Sequence, residues 1–173
     1  MKRNDLEHII RAAGSITNCH DIIIIGSQSI LGRFPTPPLE LTVSQEADIF
    51  PATSAVTADL IDGTIGERSP FHETFGYYAH GVGEETAILP KGWRDRLIPI
   101  VNENTMGFCG LCLDPVDCAV SKLAAGRPRD LDFVNTLLSY HMVSPHELRS
   151  SIELIADPFR GQAITRFDKI VQL

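Results

Sequence analysis

The feature that most constrains the fold is a run of four isoleucines, Ile22 to Ile25, inside the segment DIIIIGS at residues 21–27. The run is bounded by Asp21 and Gly26 and is too short for a buried helix. It also has no polar residue at alternate positions, so it presents no face suited to water. Such a segment predicts a strand that is covered on both faces of a sheet.

The rest of the N-terminal part alternates between helices and strands. A helix is predicted in NDLEHIIRAAG, which ends at Gly14, and a short one directly after Gly26 and Ser27. A proline-rich connector follows. The remaining predictions are one bent strand or two short ones in LELTVSQEADIF, a helix in TSAVTADLIDGTIG, a loop with short strands in SPFHETFGYYAHGVGEET, and strands in ILPKGW, DRLIPIV and GFCGLCL.

Three capped helices are predicted in the C-terminal third. In DPVDCAVSKLAAG, Asp114 suits the N-cap, Pro115 the first helical position and Gly126 the C-terminal stop. RDLDFVNTLLSYH has apolar residues at helical spacing, and SPHELRSSIELIA begins with a capping box. The elements together predict an α+β fold, with a mixed β-sheet flanked by helices over residues 1–113 and a helical subdomain packed on it over residues 114–173.

Two acidic residues, Glu46 and Asp48, stand two positions apart in SQEADIF, residues 44–50. In an extended chain successive side chains alternate between faces, so both carboxylates point to one side while Ala47 and Ile49 point to the other. Neighbouring carboxylates repel each other unless a positive group lies between them. The pair therefore predicts a site for a divalent cation, Mg²⁺ or Mn²⁺, and the alternative is a solvated strand end.

The turn after the isoleucine run carries Gly26 and Ser27 ahead of the predicted short helix. A glycine there lets the backbone approach a ligand closely, and the N–H groups at a helix start point toward a bound anion. If the strand with Glu46 and Asp48 lies alongside, its carboxylates would hold a cation against that anion, as a nucleoside triphosphate with its Mg²⁺ requires. The alternative is an ordinary turn.

The totals exclude some classes of function. A formal net charge of −7 over 173 residues argues against broad DNA or RNA binding, which depends on many lysine and arginine contacts to phosphates. No apolar run approaches the roughly 20 residues that span a bilayer, and MKRNDLEHII lacks the apolar centre of a signal peptide. These features predict a cytoplasmic protein without a membrane partner.

The cysteines do not indicate a metal or redox site. CGLC at residues 109–112 has a spacing found at such sites. In a regular strand, however, Cys109 and Cys112 face opposite sides, and no second cysteine or histidine pair stands at ligand spacing. Small buried thiols are predicted instead, at these two positions and at Cys19 and Cys118.

A segment rich in histidine and aromatic residues, SPFHETFGYYAHGVGEET, follows the acidic pair. Aromatic side chains of this kind stack on nucleobases in some proteins, and loop aromatics also fill small satellite cores. Both interpretations stay open for four residues, His72, Tyr77, Tyr78 and His80.

The order of the motifs resembles a known family. Gly26-Ser27 followed by ExD at 46–48 is similar to the signature of the nucleotidyltransferase superfamily of DNA polymerase beta, in which a Gly-Ser or Gly-Gly turn precedes two carboxylates. IIIIGSQSILG, ExDI, LPKGWRDRLIPI and DPVDCAVSKLAAGRPRDLDFV together resemble uncharacterised bacterial nucleotidyltransferase-like proteins related to abortive-infection and toxin–antitoxin nucleotidyltransferases. The resemblance implies a nucleotidyltransferase-like sheet, with the Gly-Ser turn at the triphosphate and the acidic pair as metal ligands.

The same resemblance implies roles for three residues of the C-terminal third. Lys122 matches a lysine that faces the phosphates in the toxin relatives, and Arg129 and Asp130 match an Arg-Asp pair that follows it. The implied roles are charge stabilisation for Lys122, nucleotide binding for Arg129 with Lys122, and an acid that orients the attacking hydroxyl or accepts its proton for Asp130. The alternatives are an exposed lysine and an interhelix turn of paired charges in which Asp130 caps the second helix.

The chain departs from the family pattern at three points. A spacer of 18 residues separates Ser27 from Glu46, which is longer than in the compact motif. Glutamate stands where aspartate is usual for the first ligand, and its extra methylene moves the carboxylate outward by about 1.3 Å. No third strand carboxylate is evident in the usual place. These departures bear on catalysis rather than on the fold.

Two functions fit these observations. The first is a metal-dependent nucleotidyltransferase that moves a nucleoside monophosphate from a nucleoside triphosphate to a hydroxyl of RNA or protein. The resemblance implies that it acts as the toxin of a toxin–antitoxin pair, with a small antitoxin protein or a target RNA as partner. The second is a catalytically degenerate nucleotidyltransferase fold that serves as a nucleotide-sensing or protein-binding module.

Overall fold

The isoleucine run forms the central strand of a five-stranded sheet in the computed structural model, which describes residues 1–53 and 58–172. This strand, β1, spans Asp21–Ile25. All four isoleucines are buried, with at most 3 % of their surface exposed. Both faces of β1 are therefore covered, as the uninterrupted apolar run predicts.

Four further strands complete a mixed sheet: β2 Glu46–Pro51, β3 Tyr78–Gly81, β4 Ile98–Ile100 and β5 Cys109–Cys112. Their order across the sheet is β3-β2-β1-β5-β4. β1 is antiparallel to β2 and parallel to β5. β2 is parallel to β3, and β4 is antiparallel to β5.

Three α-helices belong to the same part of the chain: α1 Arg3–Thr17, α2 Ala58–Ile65 and α3 Pro70–Phe75. The connection that contains α2 and α3 supplies the crossover required between the parallel strands β2 and β3. Buried residues of α1 and α2 join the strand isoleucines in one core. Short 3₁₀ helices occupy Ser27–Gly32, Leu39–Leu41, Glu84–Thr86, Trp93–Arg96 and Glu103–Thr105.

Four C-terminal helices pack against one another: α4 Pro115–Ala125, α5 Pro128–Ser139, α6 Pro145–Ile152 and α7 Phe159–Val171. The caps predicted at Asp114 and Ser144 are present, since their side chains accept hydrogen bonds from the N–H groups of Val116 and Glu147 at 2.9 and 3.1 Å. The structure thus confirms the predicted α+β fold, with a mixed sheet flanked by helices and a helical C-terminal part.

The chain divides into two compact units. The first comprises Met1–Thr86 and Leu97–Leu113, and the second comprises Ala87–Arg96 and Asp114–Leu173. The assignment of residues 1–113 and 114–173 to separate domains stays a prediction. Within the described residues, none of the helices combines the length and the apolar composition needed to cross a bilayer.

Four local predictions were wrong. Helix α1 continues past Gly14 to Thr17, and residues 39–41 form a 3₁₀ helix ahead of β2 rather than strand. The other two concern whole elements. Residues 88–93, ILPKGW, form no strand, because Pro90 has no N–H to donate and Gly92 has a φ of +77°. The segment 70–75 is helix α3 rather than loop, and the signals were present in the sequence: Ser69 caps it and Gly76 ends it with a φ of +76°. In the helix predicted around TSAVTADLIDGTIG, residues 54–57 lie outside the described residues.

Gly110 of β5 lies beneath α1. A Cβ built on it would overlap Ile10 Cδ1 and would lie 2.8 Å from Ile10 Cγ1 and 3.1 Å from Ile24 Cδ1. Gly110→Ala is expected to lower the free energy of unfolding by about 1–3 kcal/mol, the cost of overpacking a dense core. Urea unfolding followed by circular dichroism measures this change.

Gly161→Ala in α7 is the matched control. Among the described residues, no atom outside the backbone of its own helix and its two chain neighbours lies within 4 Å of a Cβ built there. The same substitution is therefore expected to raise the free energy of unfolding by about 0.4–1 kcal/mol, since it reduces the freedom of the unfolded chain. If the two variants had the same unfolding midpoint, the close packing of α1 on Gly110 would be disproved.

Candidate functional site

The acidic pair lies at the start of β2. Glu46 and Asp48 are half-buried, whereas Ala47 and Ile49 between and beyond them are fully buried. Side chains alternate along a strand, so the two carboxylates share one face and the apolar pair joins the core on the other. The predicted arrangement of these four side chains is confirmed.

Gly26 lies directly against the Asp48 carboxylate. β1 and β2 are antiparallel neighbours with Ile25 opposite Asp48, so Gly26 follows at the same end of the pair. Its φ of 73° and ψ of −166° belong to a region that glycine alone occupies readily. A Cβ built on Gly26 would overlap Asp48 Oδ2 and would lie 3.1 Å from Asp48 Cγ.

Ser27 begins the 3₁₀ helix after this turn and is half-buried. Its hydroxyl oxygen accepts a hydrogen bond from Gln28 Nε2 at 3.3 Å. The first N–H groups of a helix have no partner within that helix. The pairing of β1 with β2 brings the glycine turn and the acidic pair together, as expected if the strand with Glu46 and Asp48 lies alongside β1.

His80, which no local sequence pattern places at this site, completes the cluster. β3 pairs with β2 in parallel, with Tyr78 opposite Glu46 and His80 opposite Asp48. His80 Nδ1 lies 3.2 Å from Asp48 Oδ1 and 3.7 Å from Glu46 Oε1. The side chain of His80 is 51 % exposed, so the cluster opens to solvent.

The Tyr78 hydroxyl donates a hydrogen bond to Glu46 Oε2 at 2.8 Å. Burial, followed by this hydrogen bond to Glu46, raises the pKa of Tyr78 to about 12. The phenol therefore stays protonated at neutral pH and remains a donor. The ring of Tyr78 also packs on His72, with ring centroids 4.6 Å apart.

Asp48 has a strongly perturbed pKa. Burial and, after it, the nearby charge of Glu46 raise the pKa of Asp48 to about 6, while His80 acts in the opposite direction. A cation placed between Asp48 and Glu46 would stabilise the ionised forms of both carboxylates. Clusters of this kind are typical of functional sites.

Donor atoms of Glu46, Asp48 and His80 all lie within 4.8 Å of one another, as a shared metal ion requires. The other aromatic residues of this segment have a different role. Tyr77 packs among His8, Phe71 and Phe75, which form a satellite aromatic core. The satellite-core interpretation is therefore confirmed for Tyr77.

The three candidates from the C-terminal third lie in the second unit. Asp130 is buried, and its carboxylate accepts hydrogen bonds from Lys122 Nζ at 3.1 Å and Arg127 Nε at 2.7 Å. Burial opposes ionisation of Asp130, but the hydrogen bond from Arg127 and the charge of Lys122 outweigh it and lower its pKa. Lys122 also lies over the Phe133 ring, 4.7 Å from its centroid, whereas Arg129 is exposed.

The four cysteines are free and buried, as predicted. Burial raises the pKa of the Cys112 thiol to about 12, so it stays protonated at neutral pH. A protonated thiol is a poor nucleophile and a poor metal ligand. Cys112 therefore serves as a small apolar residue of the core, and it belongs to the same buried cluster as Ile22 and Ile24.

Comparison with known proteins gives one match. Residues 4–157 match the sequence model of the family described as nucleotidyltransferase of unknown function (DUF6036). No curated protein and no solved structure matches the chain. The family match includes the glycine turn, the acidic pair and His80, and it extends through α4, α5 and α6.

Proposed function

The chain belongs to this nucleotidyltransferase family, and from that premise we propose that it transfers a nucleoside monophosphate from a nucleoside triphosphate to a hydroxyl of RNA or protein. In such a transfer the acceptor oxygen bonds to the α-phosphorus, the bond from that phosphorus to the bridging oxygen breaks, and pyrophosphate leaves. The observation that supports the proposal most directly is the close approach of Gly26 to Asp48 at one end of the β1–β2 pair.

The residues of this cluster fit a divalent cation. Glu46 and Asp48 offer carboxylate oxygens, which Mg²⁺ and Mn²⁺ prefer as ligands. Both side chains keep access to solvent, with 39 % and 30 % of their surface exposed, so the triphosphate and water can reach them. A divalent cation held there would offset negative charge on the triphosphate and on the departing pyrophosphate.

The residues around the acidic pair have defined tasks in this proposal. Gly26 lets the chain turn without a side chain between the phosphates and Asp48. Ser27 supplies a hydroxyl, and the start of its 3₁₀ helix supplies backbone N–H groups that would bind phosphate oxygens. Lys122, Arg129 and Asp130 stay predictions for charge stabilisation, nucleotide binding and orientation of the acceptor.

Thermal unfolding with each nucleoside triphosphate, with and without Mg²⁺ or Mn²⁺, tests the binding part of the proposal. At a ligand concentration about 100 times Kd, binding adds about 2.7 kcal/mol to the free energy of unfolding. For a chain of this size the melting temperature should rise by about 5–11 °C. Asp48→Asn removes the charge that faces the cation and should abolish the metal-dependent shift.

Asp59→Asn is the control, because Asp59 is an exposed carboxylate of α2. It should keep the full shift, which separates a specific loss from a general loss of negative charge. If wild type and Asp48→Asn showed the same metal-dependent shift, or if wild type showed none with any triphosphate, the proposed site would be disproved.

Transfer itself is tested with α-³²P-labelled triphosphates and cell extract. Label that survives protease but not ribonuclease identifies an RNA acceptor, and the reverse identifies a protein. The resemblance to toxin–antitoxin nucleotidyltransferases supports the further proposal that the chain is a toxin. In that case its expression should arrest growth, and Asp48→Asn should relieve the arrest.

A second function is favoured by one observation: β3 carries His80, rather than a carboxylate, next to Asp48. A fold that has lost catalysis could keep nucleotide binding and act as a sensor. It would show the metal-dependent thermal shift but no labelled product with any acceptor. A protein-binding module would show neither.

A further inference from the structure

We propose that His80 is the third protein ligand of the cation held by Glu46 and Asp48, and that the site therefore prefers a first-row transition metal such as Mn²⁺ to Mg²⁺. The inference rests on the metal pair of the proposed function. It goes beyond that function because it assigns a ligand on a second strand and a class of metal.

Strand register places His80 at this position. β2 and β3 are parallel, and His80 is paired with Asp48 while Tyr78 is paired with Glu46. Paired residues of adjacent strands project to the same face of a sheet. The imidazole thus stands beside the two carboxylates because of the backbone hydrogen-bond pattern rather than through a flexible loop.

The separations between donor atoms fit one ion. Two ligands about 2.1 Å from a metal, at angles of about 90–110°, lie about 3.0–3.5 Å apart. Nδ1 of His80 is 3.2 Å from Asp48 Oδ1 and 3.7 Å from Glu46 Oε1. Small side-chain adjustments would therefore complete a three-ligand site, and its exposure leaves further positions for water and phosphate oxygens.

Each carboxylate has one oxygen near His80 and a second oxygen that lies against another group. Glu46 Oε2 accepts the Tyr78 hydrogen bond, which leaves Oε1 as the oxygen near His80. Asp48 Oδ2 faces Gly26, which leaves Oδ1 near His80. Tyr78 is thus a positioning residue for Glu46, since groups that hydrogen-bond to a ligand fix its orientation.

The donor set determines the preferred metal. Mg²⁺ favours oxygen ligands and near-ideal octahedral geometry, whereas imidazole nitrogen suits transition metals. Two carboxylate oxygens and one imidazole nitrogen form a mixed set that Mn²⁺ accepts with less loss than Mg²⁺. A third carboxylate in place of His80 would remove that advantage.

Binding of MnCl₂ and MgCl₂ alone to the full chain, measured by isothermal titration and by loss of the free Mn²⁺ EPR signal, tests the inference without any assay of activity. Wild type should bind Mn²⁺ more tightly than Mg²⁺. His80→Ala should weaken Mn²⁺ binding by ~10–100-fold and change Mg²⁺ binding much less. His80→Asp should bind both ions but shift the preference toward Mg²⁺.

His20→Ala is the matched control, because His20 is also an exposed histidine whose Nδ1 contacts a carboxylate, Asp21 Oδ1, at 2.6 Å. It should leave both affinities unchanged. Equal Mn²⁺ affinity in wild type and His80→Ala would show that His80 contacts the carboxylates without binding the metal, and the inference would fail while the Glu46–Asp48 pair stands. Binding that is also insensitive to Asp48→Asn would overturn the proposed function as well.

Discussion

Gly26→Ala is expected to weaken metal binding and to slow nucleotidyl transfer by about 100-fold while leaving the fold in place. The new methyl group would occupy the space of Asp48 Oδ2, so the carboxylate must rotate or the turn must move away from β2. A displacement of about 1 Å at a reacting centre costs about 100-fold in rate. Because Asp48 holds the cation and Gly26 adjoins the phosphates in the proposed function, both contributions are weakened together.

The same substitution carries a cost in stability. A residue with a side chain at φ 73° and ψ −166° is strained, and such positions cost about 1–3 kcal/mol. Gly107→Ala is the matched control, since Gly107 also has a positive φ, +86°, but a Cβ built on it meets no atom of the described residues within 4 Å, its two chain neighbours aside. Its loss of stability should be similar, and its metal binding and transfer should equal those of wild type.

Isothermal titration with Mn²⁺, the labelled-nucleotide assay and urea unfolding measure the two variants side by side. Gly26→Ala should have a lower Mn²⁺ affinity and a lower transfer rate than Gly107→Ala, whereas the two variants should have similar free energies of unfolding. If Gly26→Ala bound Mn²⁺ as wild type does, Asp48 Oδ2 would not need the space beside the glycine, and the turn and the carboxylate would not form one site.

The centre of the fold was predictable because its signals are local. A run of four isoleucines is typical of a strand that is covered on both faces, and all four are buried. Side chains alternate along a strand, so the spacing of two between Glu46 and Asp48 places both carboxylates on one face. The caps at Asp114 and Ser144 depend on hydrogen bonds within two or three residues. Each of these inferences needed only a few neighbouring residues.

His80 could not be found in this way because its place depends on pairing between distant segments. Asp48 and His80 are 32 positions apart in the sequence, and the parallel register of β2 and β3 brings them together. Parallel pairing of β2 with β3 requires the crossover that contains α2 and α3, and α3 was not predicted. The one local signal was that Tyr78 and His80 stand two positions apart, as residues on one face of a strand do. This signal is weak in a segment of four residues that ends in glycine, because glycine weakens a strand.

The Lys122–Asp130 pair shows the opposite situation, in which resemblance suggests chemistry and the surroundings of the residue supply another explanation. Asp130 has 1 % of its surface exposed and accepts hydrogen bonds from two cationic side chains. It also lies in the first turn of α5, where a negative charge stabilises the helix. These contacts make Asp130 a connection between α4 and α5 whether or not it has a second role.

Asp130→Asn is therefore expected to lower the free energy of unfolding at pH 7 by about 3 kcal/mol, the lower end of the range for removing one partner of a buried ion pair. The isosteric amide keeps the packing but leaves the ammonium of Lys122, whose side chain is 15 % exposed, without its counter-charge. Urea unfolding measures the loss. Asp132→Asn, an exposed neighbour on the same helix, should change stability by less than about 0.5 kcal/mol.

The dependence on pH identifies the cause of that loss. The pKa of Asp130 is lower in the folded protein than in the unfolded chain. Its ionised form therefore contributes its full stability above about pH 4, the ordinary aspartate value, and the contribution disappears as the pH falls through the lowered pKa. The difference in stability between wild type and Asp130→Asn should narrow over that acidic range, and a difference that stayed constant would exclude the carboxylate charge as its source.

At temperatures where Asp130→Asn is folded, transfer at the wild-type rate would assign Asp130 to structure alone, whereas a folded but inactive variant would support the predicted role at the acceptor hydroxyl.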